Sequence, residues 1–191
     1  MELFKPKLQP HDKIMKYTVL LLIPKFLRPN HFTYLRFVFT PLVIYFILVS
    51  DYRAALVSFL LVAFTDAIDG SLARTRDQIT ERGTVLDPIA DKILISSTIF
   101  VLMLKHINVF ISLAIIILES LFLVGWYLRH KYGKKEKVNV WGKIKMILQV
   151  AGVAILLLGL CTGNPMMFYY SQTTLIFAII FALISLFSYG I

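Results

Sequence analysis

The sequence predicts an all-α integral membrane protein: a six-transmembrane-helix bundle preceded by an amphipathic interfacial arm. Three observations predict it. Of 191 residues, 58% are hydrophobic and the mean hydropathy is +0.77, more apolar surface than a soluble domain of this size can bury. The apolar residues fall in blocks of about twenty, the length a helix needs to cross about 30 Å of hydrocarbon. They lack the alternation of an outer-membrane barrel strand.

Residues 1–32 form the arm. Within it, residues 10–28 mix lysines with an apolar run, Tyr17 to Ile23, that is too short to span. Such a segment either lies along the interface or is a plain basic leader. The early prolines and lysines do not resemble a cleaved signal peptide, so the N-terminus is expected to be retained. Spans are expected at about 33–50, 54–74, 84–104, 108–128, 142–161 and 169–189, making one domain over 33–191 with no internal repeat.

The connections after spans one, three and five carry only Arg53 and Lys105 as basic residues. The opposite side holds Lys5, Lys7, Lys13, Lys16, Lys25, Arg28, Arg74, Arg76, Arg82, Arg129, Lys131, Lys134, Lys135 and Lys137. The positive-inside rule therefore places both termini and the two basic loops on the cytoplasmic side of the cell membrane. In this setting the net charge of +9 reads as topology and as attraction for anionic lipids, above all in the run from Arg129 to Lys137, with no nucleic acid as partner. The single cysteine, Cys161, has no disulfide partner within the chain and reads as packing. The four histidines show no ligand spacing. Trp126 and Trp141 read as an interface belt.

Four aspartates interrupt the apolar spans: Asp66 and Asp69 near the end of the second, Asp87 and Asp91 near the start of the third. A charge at the bilayer centre costs about 2.5–3.5 kcal/mol even on the mildest scale, so such residues usually face a polar cavity and serve a function. Their i, i+3 and i, i+4 spacings put each pair on one helix face, and a short turn makes the two helices antiparallel neighbours. Four carboxylates would then converge, repelling one another unless a cation joins them. Hard oxygen ligands suit Mg2+, Mn2+ or Ca2+ rather than zinc, and two such ions would clamp a phosphate.

Ordinary readings exist for single residues. Asp87 could complete a capping box with Thr84, with Pro88 in the first helical turn, and Asp69 could pair with Arg74 or Lys92. Gly70 and Gly83 allow close packing of helices or leave room for a ligand. Arg74 suits a helix C-terminus and equally a phosphate. Glu119, in the middle of the fourth span, either faces a polar cavity or pairs with a lysine. A cation or proton path would spread acids through the membrane and often bring an inverted repeat, whereas four of the five intramembrane acids here lie at one hairpin.

The run Asp66-x2-Asp69-Gly70-x2-Ala73-Arg74-x8-Gly83-x3-Asp87-x3-Asp91 resembles the signature of the CDP-alcohol phosphotransferases at all eight positions and every spacing. The resemblance implies a homodimeric six-helix membrane enzyme. With two divalent ions, Mg2+ or Mn2+, it would move the phosphatidyl group of CDP-diacylglycerol to a phosphorylated alcohol acceptor and release CMP. It assigns Asp66, Asp69, Asp87 and Asp91 to the metal and Asp91 to the base on the acceptor hydroxyl. Asn30, Thr33, Asp66, Asp69, Gly70, Ala73, Arg74 and Gly83 it assigns to the nucleotide.

A second resemblance is to bacterial phosphatidylglycerophosphate synthases. Pro29-Asn30-His31-Phe32-Thr33-Tyr34-Leu35-Arg36 is similar to their P-N-x-x-T-x-x-R, and Trp141-Gly142-Lys143-Ile144-Lys145 to their G-K-x-K. It implies glycerol 3-phosphate as acceptor, its phosphate held by Lys143, Lys145, Arg36, Arg129 and Lys135. For Lys143 and Lys145 the alternative is snorkelling to the interface. Those synthases carry an Arg-Glu pair in the fourth span where this chain has Leu118 before Glu119, which leaves inositol phosphate, serine or another acceptor open.

Overall fold

The computed structural model describes Tyr17, Pro24 and residues 29–76, 81–132 and 140–189. Among the described residues six helices have both ends defined, in order α1 (Pro29–Leu48), α2 (Tyr52–Thr75), α3 (Glu81–Met103), α4 (Val109–Lys131), α5 (Val140–Thr162) and α6 (Pro165–Tyr189). Each overlies one expected span, and there is no strand among the described residues. Five of them, α1, α2, α4, α5 and α6, are long and apolar enough to cross a membrane. The remaining helix, α3, matches them in length but carries Asp87, Asp91 and Lys92 within its span.

The arm expected over residues 1–32 lies outside the described residues through residue 28, Tyr17 and Pro24 apart, and residues 29–32 are the first turn of α1. Pro29 suits that place, because a first-turn residue has no intrahelical partner for its missing N–H. Arg76, just past α2, donates from Nη1 to the carbonyl of Pro24 at 3.3 Å.

The connection between α2 and α3 is shorter than the sequence suggests, since α2 runs through Thr75 and α3 begins at Glu81. This corrects the capping-box reading. Thr84 and Asp87 are inside α3, and so is Pro88, which cannot supply the N–H that the carbonyl four residues earlier would accept. Pro41 does the same in α1. Membrane helices tolerate such gaps because neighbouring helices and local adjustments satisfy the freed groups.

The connections after α1, α3 and α5 share one device. Asp51, Asn108 and Asn164 each stand immediately before a helix, and their side-chain oxygens accept from the backbone N–H of Ala54 at 3.1 Å, Phe110 at 2.9 Å and Met166 at 3.0 Å. An N-cap of this kind satisfies one of the orphan donors of the first turn. Ser50 (φ 62°) and Gly163 (φ 68°) take the left-handed conformation that reverses the chain after α1 and α5.

The chain divides into two compact units. In their described parts, the first holds residues 29–42, 60–76 and 81–94, and the second holds 43–59, 95–132 and 140–189. The first has a polar interior: Thr33, Arg36, Thr40, Asp69 and Ser71 are buried beside Leu72 and Leu94. The second is built mainly on aliphatic side chains such as Ile99, Leu156 and Leu175. There α5 and α6 approach closely through small residues. A Cβ on Gly152 would stand 2.7 Å from Leu175 Cδ2, one on Gly159 would stand 2.8 Å from Met167 Cβ, and Ser171 Oγ donates to the Gly152 carbonyl at 2.7 Å. Small residues and side-chain hydrogen bonds drive association where lipid removes the hydrophobic difference. Between α3 and α4, His106 Nε2 meets Tyr52 Oη at 3.0 Å, and burial, with the Lys105 charge beside it, holds the imidazole below its usual range.

Two outcomes follow. Gly152→Ala should lower stability in detergent by about 1–3 kcal/mol through overpacking, with part of the loss recovered by adding Leu175→Ala, as read by thermal unfolding. For His106 the folded state favours the neutral ring, so its contribution is complete above the usual imidazole pKa and is lost as pH falls through the folded value. Thermal stability should therefore decline from about pH 7 to pH 5, and His106→Gln should flatten that part of the profile.

Candidate active site

Helical spacing places Asp66 and Asp69 one turn apart on α2, and both face an arginine from α1. Arg36 is fully buried, and its Nη2 lies 2.6 Å from Asp69 Oδ2 and 3.1 Å from Asp66 Oδ1. Asp69 is itself 2% exposed, whereas the Asp66 side chain keeps 36% of its surface. One turn before Arg36, the buried Thr33 donates its hydroxyl to Asp87 Oδ1 of α3. Two residues of α1 thus tie the acids of α2 and α3 into one polar layer. The charges of Asp66 and Asp87 act on Asp69, and Arg36 acts on both Asp69 and Asp87.

Three carboxylates of the layer share the Arg36 guanidinium, whose Nε and Nη1 are buried without a partner among the described residues. Asp91 follows Asp87 by four residues on α3 and is half-buried. The donor chemistry fits a hard divalent cation such as Mg2+ or Mn2+, which takes carboxylate oxygens. Among the described residues no three acidic or metal-ligating side chains are drawn up at the spacing of a metal cage; Asp66 and Asp69 close on Arg36 instead.

The other signature residues occupy the same unit. Gly70 lies under the Arg74 head group, since a Cβ there would stand 3.2 Å from Arg74 Nη1. Its missing side chain lets that guanidinium fold back along α2. Ala73 and Arg74 are half-buried, Gly83 is buried in the first turn of α3, and Asn30 is half-buried in the first turn of α1. Arg36, expected among the residues for the acceptor phosphate, is found instead in the carboxylate layer. The sequence carried half of this signal: an arginine within an apolar helix that holds no acid of its own needs an anionic partner, but nothing local names which one.

The second unit contains another buried polar group. Glu119 Oε1 accepts from Lys145 Nζ at 2.6 Å and from Gln149 Nε2 at 2.8 Å, and the ammonium stands 4.4 Å from the Phe122 ring centroid. Glu119 therefore pairs with a lysine, one of its two expected readings. Lys145 is 4% exposed and does not snorkel. Gln149, one turn beyond Lys145, went unread in the sequence although its spacing puts it on the same face. Lys143 is exposed, Arg129 is half-buried near the end of α4, and Lys135 lies outside the described residues.

Comparison with known proteins gives a consistent picture. A family model described as CDP-alcohol phosphatidyltransferase matches residues 26–186. A protein of Aquifex aeolicus named CDP-diacylglycerol–glycerol-3-phosphate 3-phosphatidyltransferase is 30% identical over 136 residues, covering 67% of this chain and 75% of its own length. One of the same name from Rickettsia felis is 34% identical over 136 residues, covering 69% and 75%. A fusion protein of Schizosaccharomyces pombe, named cardiolipin synthase (CMP-forming) / mitochondrial hydrolase, is 36% identical over 108 residues, covering 56% of this chain and 18% of its own length.

The Glu119 group makes a stability prediction independent of chemistry. Glu119→Ala leaves the Lys145 ammonium buried without its counter-ion and should cost about 3–5 kcal/mol. The double change Glu119→Leu with Lys145→Met should recover most of that. Unfolding in detergent, followed by loss of helical circular dichroism, reads both.

Proposed function

The chain belongs to the CDP-alcohol phosphatidyltransferase family, and on that premise we propose that it transfers the phosphatidyl group of CDP-diacylglycerol to glycerol 3-phosphate, releasing CMP, the activity for which relatives in Aquifex and Rickettsia are named. The observation that carries this reading is the acid layer of the first unit: the signature aspartates on α2 and α3, with Asp66, Asp69 and Asp87 tied to Arg36 and Thr33 of α1. In the reaction the acceptor oxygen forms a bond to the phosphorus bearing the diacylglycerol. The bond from that phosphorus to the bridging oxygen breaks, CMP departs with the electron pair, and the acceptor hydroxyl gives up its proton.

Asp66, Asp69, Asp87 and Asp91 would hold the divalent ions, whose chemistry when bound is to neutralise the diphosphate and stabilise the departing CMP. Asp91 takes the acceptor proton; as a carboxylate beside cations it is a weak base and acts through position. Thr33 fixes the Asp87 carboxylate by its hydrogen bond. Arg74, folded over Gly70, offers a guanidinium to the diphosphate, with Asn30, Ala73 and Gly83 completing the nucleotide pocket. Lys143, Arg129 and Lys135 supply charge for the acceptor phosphate, whereas Lys145 is matched by Glu119. The positive-inside pattern supports a cytoplasmic face for this chemistry. A homodimer and a surface of anionic lipid complete the reading.

A different acceptor is the second reading. Leu118 stands where the synthases have an arginine beside the glutamate, Glu119 takes Lys145 as its partner, and the fission yeast relative carries the cardiolipin synthase name. Purified protein given CDP-diacylglycerol, Mg2+ and a panel of glycerol 3-phosphate, inositol phosphate, serine and phosphatidylglycerol should release CMP most strongly with the first. Asp91→Asn should cut the rate by about 100-fold or more, and chelation should stop it until Mg2+ is restored. No release with any acceptor, or full activity in Asp91→Asn, would overturn the mechanism.

A further inference from the structure

We propose that Arg36 is an internal counter-cation that competes with divalent metal for the carboxylate oxygens of Asp66 and Asp69. It holds the site together in the metal-free protein and gives it up as metal binds. This rests on the metal-dependent reading above and adds to it a residue outside the aspartate signature.

Three features of the site carry the inference. A single nitrogen, Nη2, bridges two carboxylates on successive turns of α2, at 2.6 and 3.1 Å. That is the position of a shared cation, and it differs from the paired, two-nitrogen clasp by which arginine usually fixes one carboxylate in a structural role. The rest of the guanidinium is unsatisfied: Nε and Nη1 are buried with no partner among the described residues, and a buried donor left unbonded has lost its water without a replacement. Arg36 therefore sits in a costly bonding state whose cost can fall when its surroundings change. With Arg36 in this place, the described acids do not reach metal-cage spacing. Bringing them to a divalent ion requires Asp66 or Asp69 to turn from the guanidinium.

A cation of charge +1 and one of charge +2 seeking the same oxygens repel each other. Linkage makes the effect reciprocal, so metal must weaken the Arg36 pair by the same factor by which Arg36 weakens metal binding. Once displaced, the guanidinium remains inside the layer with all its N–H groups available, beside the place where the donor diphosphate would bring anionic oxygens. The opposite role is equally definite. If Arg36 only orients Asp69 as a ligand, removing it should weaken metal binding, as loss of an orienting partner typically does by about 10–100-fold.

The two roles differ in sign, and a measurement without substrate separates them. Thermal unfolding of the purified protein in detergent is titrated with MgCl2 for the wild type, Arg36→Gln and Arg36→Lys. Metal-free Arg36→Gln should unfold at a lower temperature than wild type, yet reach half of its metal-induced stabilisation at a Mg2+ concentration lower by on the order of tenfold. Arg36→Lys keeps the charge without the planar fork and should shift in the same direction by less; it gives the answer if Arg36→Gln does not fold. A half-saturating concentration that is unchanged or higher in the variants, with the wild type still responding to Mg2+, would overturn the inference alone. A wild type that neither Mg2+ nor Mn2+ stabilises would overturn the metal reading and this inference with it.

Discussion

Several carboxylates sharing one fully buried arginine within a membrane protein is the constraint on which the first unit depends. Asp66, Asp69 and Asp87 share Arg36 as an electrostatic partner, and a guanidinium with two unpaired nitrogens is an incomplete answer. Burying charge is tolerable only when the charges are paired and hydrogen-bonded. The arrangement of α1, α2 and α3 in this unit follows from that demand. Thr33 and Arg36 lie on one face of α1 because each must reach an acid on a different helix, and Gly70 leaves space for Arg74 to fold back over α2.

The second unit shows what a settled version of the same problem looks like. Glu119 receives both Lys145 and Gln149 on one oxygen, and the lysine rests over an aromatic ring. The pair is neutral, and its geometry is short and direct. Such a group specifies how α4 meets α5 without calling for anything from outside. The difference between the two layers is the physical ground for placing the chemistry in the first. A site proposed to accept cations and a diphosphate would be electrically incomplete without them, whereas a structural pair is complete when the chain folds.

Much of this was legible in the sequence, and the reasons are specific. Six apolar blocks yield six helices because hydrocarbon thickness fixes their length, and the ends moved by only a few residues. The aspartates were legible because each violates the composition of its helix. Asp51, Asn108 and Asn164 went unread as caps, although each stands immediately before an apolar block. What was not legible is pairing across helices. Arg36 looked like one more cation for an acceptor phosphate because nothing local says that its helix faces Asp66 and Asp69. Lys145 looked free to snorkel because Glu119 stands 26 residues away. Pro88 suggested a helix start because in water it usually marks one, whereas α3 carries it inside. Sequence spacing reports contacts along one helix; contacts between helices depend on rotation and tilt, which packing decides.

The helix whose charges exclude it from the candidate membrane spans depends most on its neighbours, and this joins insertion to function. Asp87, Asp91 and Lys92 fall within one turn and a half of α3, and a helix so charged gains little from lipid on its own. Thr33 meets one of those charges directly from α1. Arg36 acts on the same acid through its field. The residues that would position the reacting groups are therefore among those that make α3 tolerable in the membrane, and a substitution at Thr33 or Arg36 acts on both at once. Selection for a charge-poor, easily inserted α3 would remove the acids the proposed reaction would use. Keeping them requires α1 to bring polar groups to the same depth, which explains why Thr33 and Arg36 stand on one face of a mainly apolar first helix.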